Sequence, residues 1–234
     1  MSNPTIVITG ASRGLGRALA RALAAQGWQL ILTARGAEAL EAVRAELDAT
    51  TRVATLVGDV TDPAHRRAIA ETAAAFGGVD ALVNNASTLG ASPLPALLDL
   101  PIATFEATLQ ANLVAPLALI QALAPHLKPN ARILNLSSDA AVSPYETWGG
   151  YGSSKAALDQ LSNVLAAERP DWRVYAVDPG DMRTQMHQDA FPGEDISDRP
   201  APEASVPGFL ALLSGRLPSG RYAARALPVA AREV

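Results

Sequence analysis

A chain of 234 residues, 49% hydrophobic, with net charge -4 and no cysteine, is long enough for one domain with a full core, and it excludes disulfides and thiolate chemistry. No Lys/Arg run exceeds two residues, so neither nucleic acid nor an anionic membrane is an expected partner. The start, Met1-Ser2-Asn3-Pro4, has no basic region, and no apolar stretch reads as the roughly 18 residues a bilayer span needs, so a soluble cytoplasmic protein is expected.

Thr5 to Thr9 is a short β-branched run, the pattern of a buried parallel strand. It enters Gly10-Ala-Ser12-Arg13-Gly14-Leu15-Gly16, after which Leu15, Ala18, Leu19, Ala22 and Leu23 recur at helical spacing until Gly27. Glycines between a strand and a helix suit a phosphate. Gly10 can make the turn, Gly14 can let backbone approach a pyrophosphate, and Gly16 can allow close helix–strand packing, with free amides at the helix start. The glycines alone read equally well as a structural turn; the spacing is Gly-x3-Gly-x-Gly.

Trp28 to Thr33 is the second predicted strand, followed by Ala34-Arg35. A dinucleotide fold reads the adenosine ribose here, about 20 residues after the glycines. No acid appears before Glu38, whereas Arg35 and Arg13 are present. Two cations without an acid suit a 2′-phosphate, so NADP(H) is favoured over NAD(H), with solvated loop arginines as the competing reading.

A helix over 37–49, a strand over 52–57 ending at Asp59-Val60, a helix from Pro63 to about Phe76 and a strand over 79–83 continue the alternation. It predicts a parallel sheet with helices on both faces. Asn84-Asn85-Ala86-Ser87 follows, and 87–101 is a Pro-rich loop at the carboxyl end of a strand, where such sheets bind ligands. One long helix is predicted over 102–127. Pro116 removes the donor that the Asn112 carbonyl would use, so a kink holding a fixed water is expected, unless Asn112 and Pro116 only serve packing.

The fifth strand, 131–136, delivers Ser137 and Ser138, and a loop with Tyr145, Glu146 and Trp148 opens onto a helix from Tyr151 to about Glu168. Tyr151 and Lys155 are four residues apart and share a helix face, where a cation would lower the phenol pKa towards working range and make it a proton donor or acceptor. Of 19 basic residues, 17 are Arg and only Lys128 and Lys155 are Lys, so a compact ammonium at this position suits a role with several partners. Taken alone, the pair reads as a solvated helix start. The sixth strand, 173–177, ends at Asp178-Pro179-Gly180. An irregular acidic stretch over 181–203, with Met186 and His187, is expected to be a substrate lid. A helix near 206–213 and a strand near Arg221 close the chain.

Together these motifs resemble the short-chain dehydrogenase/reductase family over nearly the whole chain. Thr9 to Gly16 matches its cofactor turn, Asp59-Val60 its adenine contact and Asn84-Asn85-Ala86 three residues of its Asn-Asn-Ala-Gly element. Ser87 stands where the family has glycine, a replacement from which no effect is expected. Ser138 matches the catalytic serine, with Ser137 the second choice; Tyr151 and Lys155 match the catalytic pair, Asn112 the fourth member, and Pro179-Gly180-x3-Thr184 the nicotinamide turn. The resemblance implies a single Rossmann-like doubly wound domain over 1–234 with a seven-stranded parallel sheet. It also implies NADPH-dependent reduction of a ketone or aldehyde to an alcohol. In it Ser138 binds the substrate oxygen, Tyr151 protonates it, Lys155 holds the ribose and lowers the Tyr151 pKa, and Asn112 anchors a water. Expected cofactor contacts are Gly10, Ser12, Arg13, Gly14, Leu15, Gly16, Arg35, Asp59, Val60, Asn85, Ala86, Tyr151, Lys155, Pro179, Gly180 and Thr184. No metal is expected, the partner is a small carbonyl or alcohol, and a homodimer or homotetramer is implied. An epimerase or dehydratase, or a catalytically silent NADP(H)-sensing or scaffold protein, are the alternatives on this fold.

Overall fold

In a computed structural model the described residues are 3–227, and Met1, Ser2 and 228–234 lie outside them. Seven strands, β1 (Thr5–Thr9), β2 (Gln29–Ala34), β3 (Val53–Val57), β4 (Val79–Asn84), β5 (Leu127–Leu136), β6 (Arg173–Asp178) and β7 (Gly220–Ala223), form one parallel sheet in the order β3-β2-β1-β4-β5-β6-β7. Eight helices connect them: α1 (Gly14–Ala25), α2 (Ala37–Leu47), α3 (Pro63–Ala75), α4 (Ile102–Leu109), α5 (Ala115–Leu123), α6 (Gly149–Glu168), α7 (Gln185–Ala190) and α8 (Val206–Leu213).

Side chains of a strand alternate between the two faces of a sheet, so a strand buried on both sides feeds two cores. Ile6 and Ile8, Leu30 and Leu32, Ala81 and Val83, Leu134 and Leu136, and Tyr175 and Val177 enter one core beneath α1, α2 and α8. Their neighbours Val7, Ile31, Leu82, Ile133 and Val174 enter the other, with Ile69 of α3 and Leu119, Ile120 and Leu123 of α5. The fold is the doubly wound Rossmann-like α/β architecture that the alternating pattern implies.

Two sequence-based expectations need correction. The long helix expected over 102–127 ends at His126 and departs from regular α-helix beside Pro116, where a kink was expected: α4 ends at Leu109, Gln110–Val114 forms a π-helical turn in which the Ala115 amide bonds the Gln110 carbonyl, and α5 follows. Without an N–H, Pro116 cannot continue the i to i−4 ladder, and the wider turn absorbs the mismatch. Moreover, Ile102–His126 is a 25-residue helical run long and apolar enough, by length and composition, to cross a membrane, although no such stretch was expected. Here Leu119, Ile120 and Leu123 within it are packed against the sheet.

The order reverses between β1 and β4, whose chains leave towards opposite sides, and a crevice opens at their carboxyl ends. Thr9, Asn84, Leu136 and Asp178 all end strands at this edge.

Candidate active site

The floor of the crevice is built from backbone. Gly10 turns with φ 65°, a left-handed conformation that a Cβ would strain, and a Cβ there would stand 2.8 Å from Asn85 Nδ2. A Cβ on Gly16 would overlap the Gly10 carbonyl. The turn is held by the neighbouring strand: Asn85 Nδ2 donates to the carbonyls of Thr9 (2.8 Å) and Gly10 (3.1 Å), while Thr9 Oγ1 accepts the amides of Asn85 and Ala86, both at 2.9 Å. Arg13 caps α1 in extended conformation without a side-chain cap bond, so the first-turn amides and the positive end of the helix dipole remain available to an anion. Leu15 is buried beneath this turn and Ser12 is half-buried.

Arg35 lies at the end of β2 with its side chain 76% exposed, 3.9 Å from Asp59 Oδ2. Asp59 accepts from the Thr61 amide and hydroxyl, both at 2.8 Å, and these bonds, the amide first, hold its carboxyl below the usual range. The Val60 carbonyl accepts from Arg66 at 2.7 Å. At the far end, Gly180 (φ 71°) donates its amide to Asp178 Oδ1 at 2.8 Å, Ser205 donates to the Pro179 carbonyl, and Thr184 caps α7 close to Gly14. A glycine cradle and an uncapped helix start fit the pyrophosphate of a nicotinamide dinucleotide, and the residue at the ribose-reading position is Arg35.

Tyr151 and Lys155 sit in the first turns of α6, 8% and 2% exposed. Lys155 Nζ donates to the Leu136 carbonyl at 2.7 Å and stands 5.4 Å from the centre of the Tyr151 ring. The electrostatics correct the sequence reading. Burial is the largest influence on both groups: it raises the Tyr151 phenol well above its ordinary value and lowers Lys155 to about 8, against a smaller opposing effect of Asp159. The hydroxyls of Ser138 and Ser87 beside the phenol partly offset its rise. At neutral pH the phenol therefore keeps its proton and the ammonium its charge.

Ser138 is the serine that faces Tyr151; Ser137 is buried, and its hydroxyl points to the Ser138 carbonyl at 3.5 Å. Ser138 Oγ donates to Asp139 Oδ1 (3.0 Å) and accepts the Ala140 amide (3.2 Å), and the Tyr145 phenol donates to Asp139 Oδ2 at 2.9 Å. Asn112 lies in the π-helical turn. Its Oδ1 accepts from Ser87 Oγ (3.0 Å) and the Thr88 amide (2.9 Å), and its Nδ2 donates to the Thr88 carbonyl (2.8 Å) and Ser154 Oγ (3.0 Å). Ser154 in turn donates to the Tyr151 carbonyl at 2.6 Å. The amide thus has two acceptors and two donors engaged and ties loop 87–88 to the Tyr151 helix. Ser87, which stands where the family has glycine, places its hydroxyl between Asn112 and the phenol.

Several neighbours gave no local sequence signal. Arg221, on β7, donates to Asp159 Oδ2 and to the Ser138 carbonyl, both at 2.9 Å, and lies 3.5 Å from Asp178 Oδ2. Cations thus grip the carbonyls on either side of Ser137: Lys155 holds that of Leu136 and Arg221 that of Ser138. Beneath them Asn84 donates to Asn135, Asn135 to Ser162, and Ser162 to the Leu158 carbonyl, at 2.8, 2.9 and 2.7 Å. This buried chain joins β4, β5 and α6.

Residues 4–195 match the family described as short chain dehydrogenase. The chain belongs to the short-chain dehydrogenase/reductase family. Serine 3-dehydrogenase of Rhizobium radiobacter is 36% identical over 187 residues, covering 78% of this chain and 73% of that protein. A short chain dehydrogenase from Salmonella enterica serovar Typhi superposes with a TM-score of 0.85 at 29% identity, covering 96% of each chain. An alcohol dehydrogenase from the archaeon Thermococcus sibiricus, crystallised with 5-hydroxy-NADP, gives 0.84 at 28% identity and covers 96% of this short-chain dehydrogenase/reductase and 98% of its own chain.

Proposed function

We propose that the protein is an NADPH-dependent reductase of a ketone or aldehyde, reversible in principle. The observation that carries this reading is Ser138, Tyr151 and Lys155 gathered at the strand ends beside the Gly10–Gly16 cradle, one wall being a proton donor site and the other an anion site. The similar alcohol dehydrogenase with 5-hydroxy-NADP supports the cofactor. Bound there, the dinucleotide supplies a hydride to a carbonyl carbon.

Gly10, Ser12, Gly14, Leu15 and Gly16 would receive the pyrophosphate, and Arg13 and Arg35 the 2′-phosphate. Asp59, Val60, Asn85 and Ala86 would hold the adenosine side; Pro179, Gly180 and Thr184 would hold the nicotinamide side. Tyr151 is the general acid. Its phenol is kept protonated by burial, so it can donate to a carbonyl oxygen at neutral pH and complete the transfer as negative charge develops there. Ser138 contributes a second donor once its hydroxyl turns from Asp139 to the substrate. Lys155, charged below about pH 8, stabilises the phenolate left behind and offers its remaining donors to the ribose. Asn112 holds the 87–88 loop against α6 and so keeps Tyr151 in position. Ile102 and Val114, with Val164 of α6, remain exposed, which supports pairing of copies through these helices; a monomer by light scattering at micromolar concentration would contradict that part.

Loss of NADPH absorbance with a panel of carbonyl compounds tests the activity. Tyr151→Phe should bind NADPH nearly as the wild type does, by fluorescence titration, and lose at least about 100-fold in turnover. Turnover retained by that variant would remove Tyr151 from the role.

A further inference from the structure

The reductase reading assigns one wall of the crevice to the dinucleotide and leaves the other unexplained. The cavity measures about 520 Å³. Beyond Tyr151 its wall is aromatic and comes from two separate segments. Trp148 precedes α6 and meets the Tyr151 ring edge-on at 5.7 Å, while Phe191 follows α7 and lies 5.9 Å from Trp148 and 4.9 Å from His187. Leu89 and Met186 complete this side. A small polar aldehyde would leave most of such a wall unused, whereas a flat ring would cover the apolar surface that Trp148 and Phe191 together turn to the cavity.

Charge narrows the class further. Among the described lining residues the one lysine is Lys155, whose ammonium donates to the Leu136 carbonyl and on the reductase reading keeps its other donors for the ribose, and no arginine lines the cavity. The acids are Asp139, Glu146, Asp178 and Asp181. Asp139 is occupied by Ser138 and Tyr145, Asp178 by Arg221 and the Gly180 amide, and Asp181 lies 3.9 Å from both His187 and Arg199. Glu146, exposed in the Tyr145–Trp148 loop, faces the same space. A substrate carboxylate or sulfonate would lose its water without gaining a cation, beside groups of its own sign.

We propose that the substrate is a carbonyl compound whose reacting carbon adjoins a flat apolar ring and which carries no anionic group. The ring packs against the joined aromatic wall of Trp148 and Phe191, whose own rings touch at 5.9 Å, and the Glu146 side of the cavity rejects negative charge. This rests on the reductase reading for its kinetic arm but not for its binding arm.

The kinetic arm compares kcat/KM with NADPH for 4-methylbenzaldehyde, 4-carboxybenzaldehyde and propanal. The methyl compound should exceed both others by at least about 10-fold. In Trp148→Ala its advantage over propanal should fall towards one, and in Glu146→Lys its advantage over the carboxylate should shrink by about 10-fold. The binding arm titrates 4-methylbenzyl alcohol and 4-carboxybenzyl alcohol into the full-length protein with NADP present and follows tryptophan fluorescence. Trp148 is the half-buried tryptophan on this wall, while Trp28 and Trp172 are buried elsewhere. Quenching should favour the methyl compound by about 10-fold in Kd and vanish in Trp148→Ala. Equal or better use of the carboxylate, or propanal as good as the ring aldehyde, overturns the proposal. If none of the three aldehydes is reduced, the carbonyl panel decides the reductase reading and the binding arm alone decides this one: discrimination in Kd upholds the aromatic wall as the ring's site and its absence overturns it.

Discussion

Replacing Lys155 by methionine should make stability less dependent on alkaline pH, and the size of the effect follows from burial. Lys155 falls from an ordinary 10.5 to about 8, chiefly through desolvation. A lysine whose native pKa lies below its unfolded value binds fewer protons folded than unfolded between those two values, so native stability rises with pH across about 8 to 10.5 and the cost of burying the charge is largest below that window. The full interval corresponds to about 3 kcal/mol. Methionine removes this cost, but it also strips the Leu136 carbonyl of the donor at 2.7 Å, a loss of about 1–3 kcal/mol. At neutral pH the variant should therefore be about as stable as the wild type or slightly more so. From about pH 7 to about pH 9.5 the wild type should gain roughly 2 kcal/mol on it. For a domain of this size that is a relative shift of about 4–8 °C in Tm. Urea unfolding of both proteins at the two pH values measures it directly. A stability difference that does not move with pH would mean that the ammonium is solvated and that burial does not set its pKa.

Arg221→Met should lower turnover by about 10-fold or more while NADPH affinity changes far less, since it frees the Ser138 carbonyl without touching the glycine cradle. It also releases Asp159 to act on Lys155, so the alkaline limb of the pH–rate profile should move to higher pH; a purely structural arginine would leave that limb in place. Pro116→Ala restores a donor to the ladder and should return the π-helical turn to α-helix, shifting Asn112 off Thr88 and Ser154. Stability should hold or rise, turnover should fall, and unchanged turnover would reduce Pro116 to packing. Arg35→Asp should raise the NADPH KM by roughly 10- to 100-fold and improve NADH, and equal use of both cofactors by the wild type would contradict the reading of β2's end.

What could be read in the sequence was local or periodic. Val7 between Ile6 and Ile8 fixes a strand buried on both faces, and α8 is found at the predicted Val206–Leu213 because its apolar run is bounded by Pro202 and Gly215. The irregular 181–203 stretch was harder, because Gln185–Ala190 is polar and gains its helical turn from the Thr184 cap rather than from an apolar stripe. Long-range pairing left no trace at all: Arg221 reaches Ser138 across 83 positions, and no spacing rule connects them. The Tyr151 electrostatics were misjudged for another reason. Proximity of Lys155 was visible as four residues on a helix, but the loss of water around both groups, the largest influence on each, depends on the folded surroundings.

The grip of Arg221 on the Ser138 carbonyl also has a consequence during synthesis. The glycine turn and the strands from β1 to β4 emerge from the ribosome long before β7, and the serine loop has its last tether only when β7 has docked. The first helix waits as well, because Leu15 and Leu19 share their core with Val206 and Phe209 of α8. Both walls of the crevice are thus completed only by the last quarter of the chain.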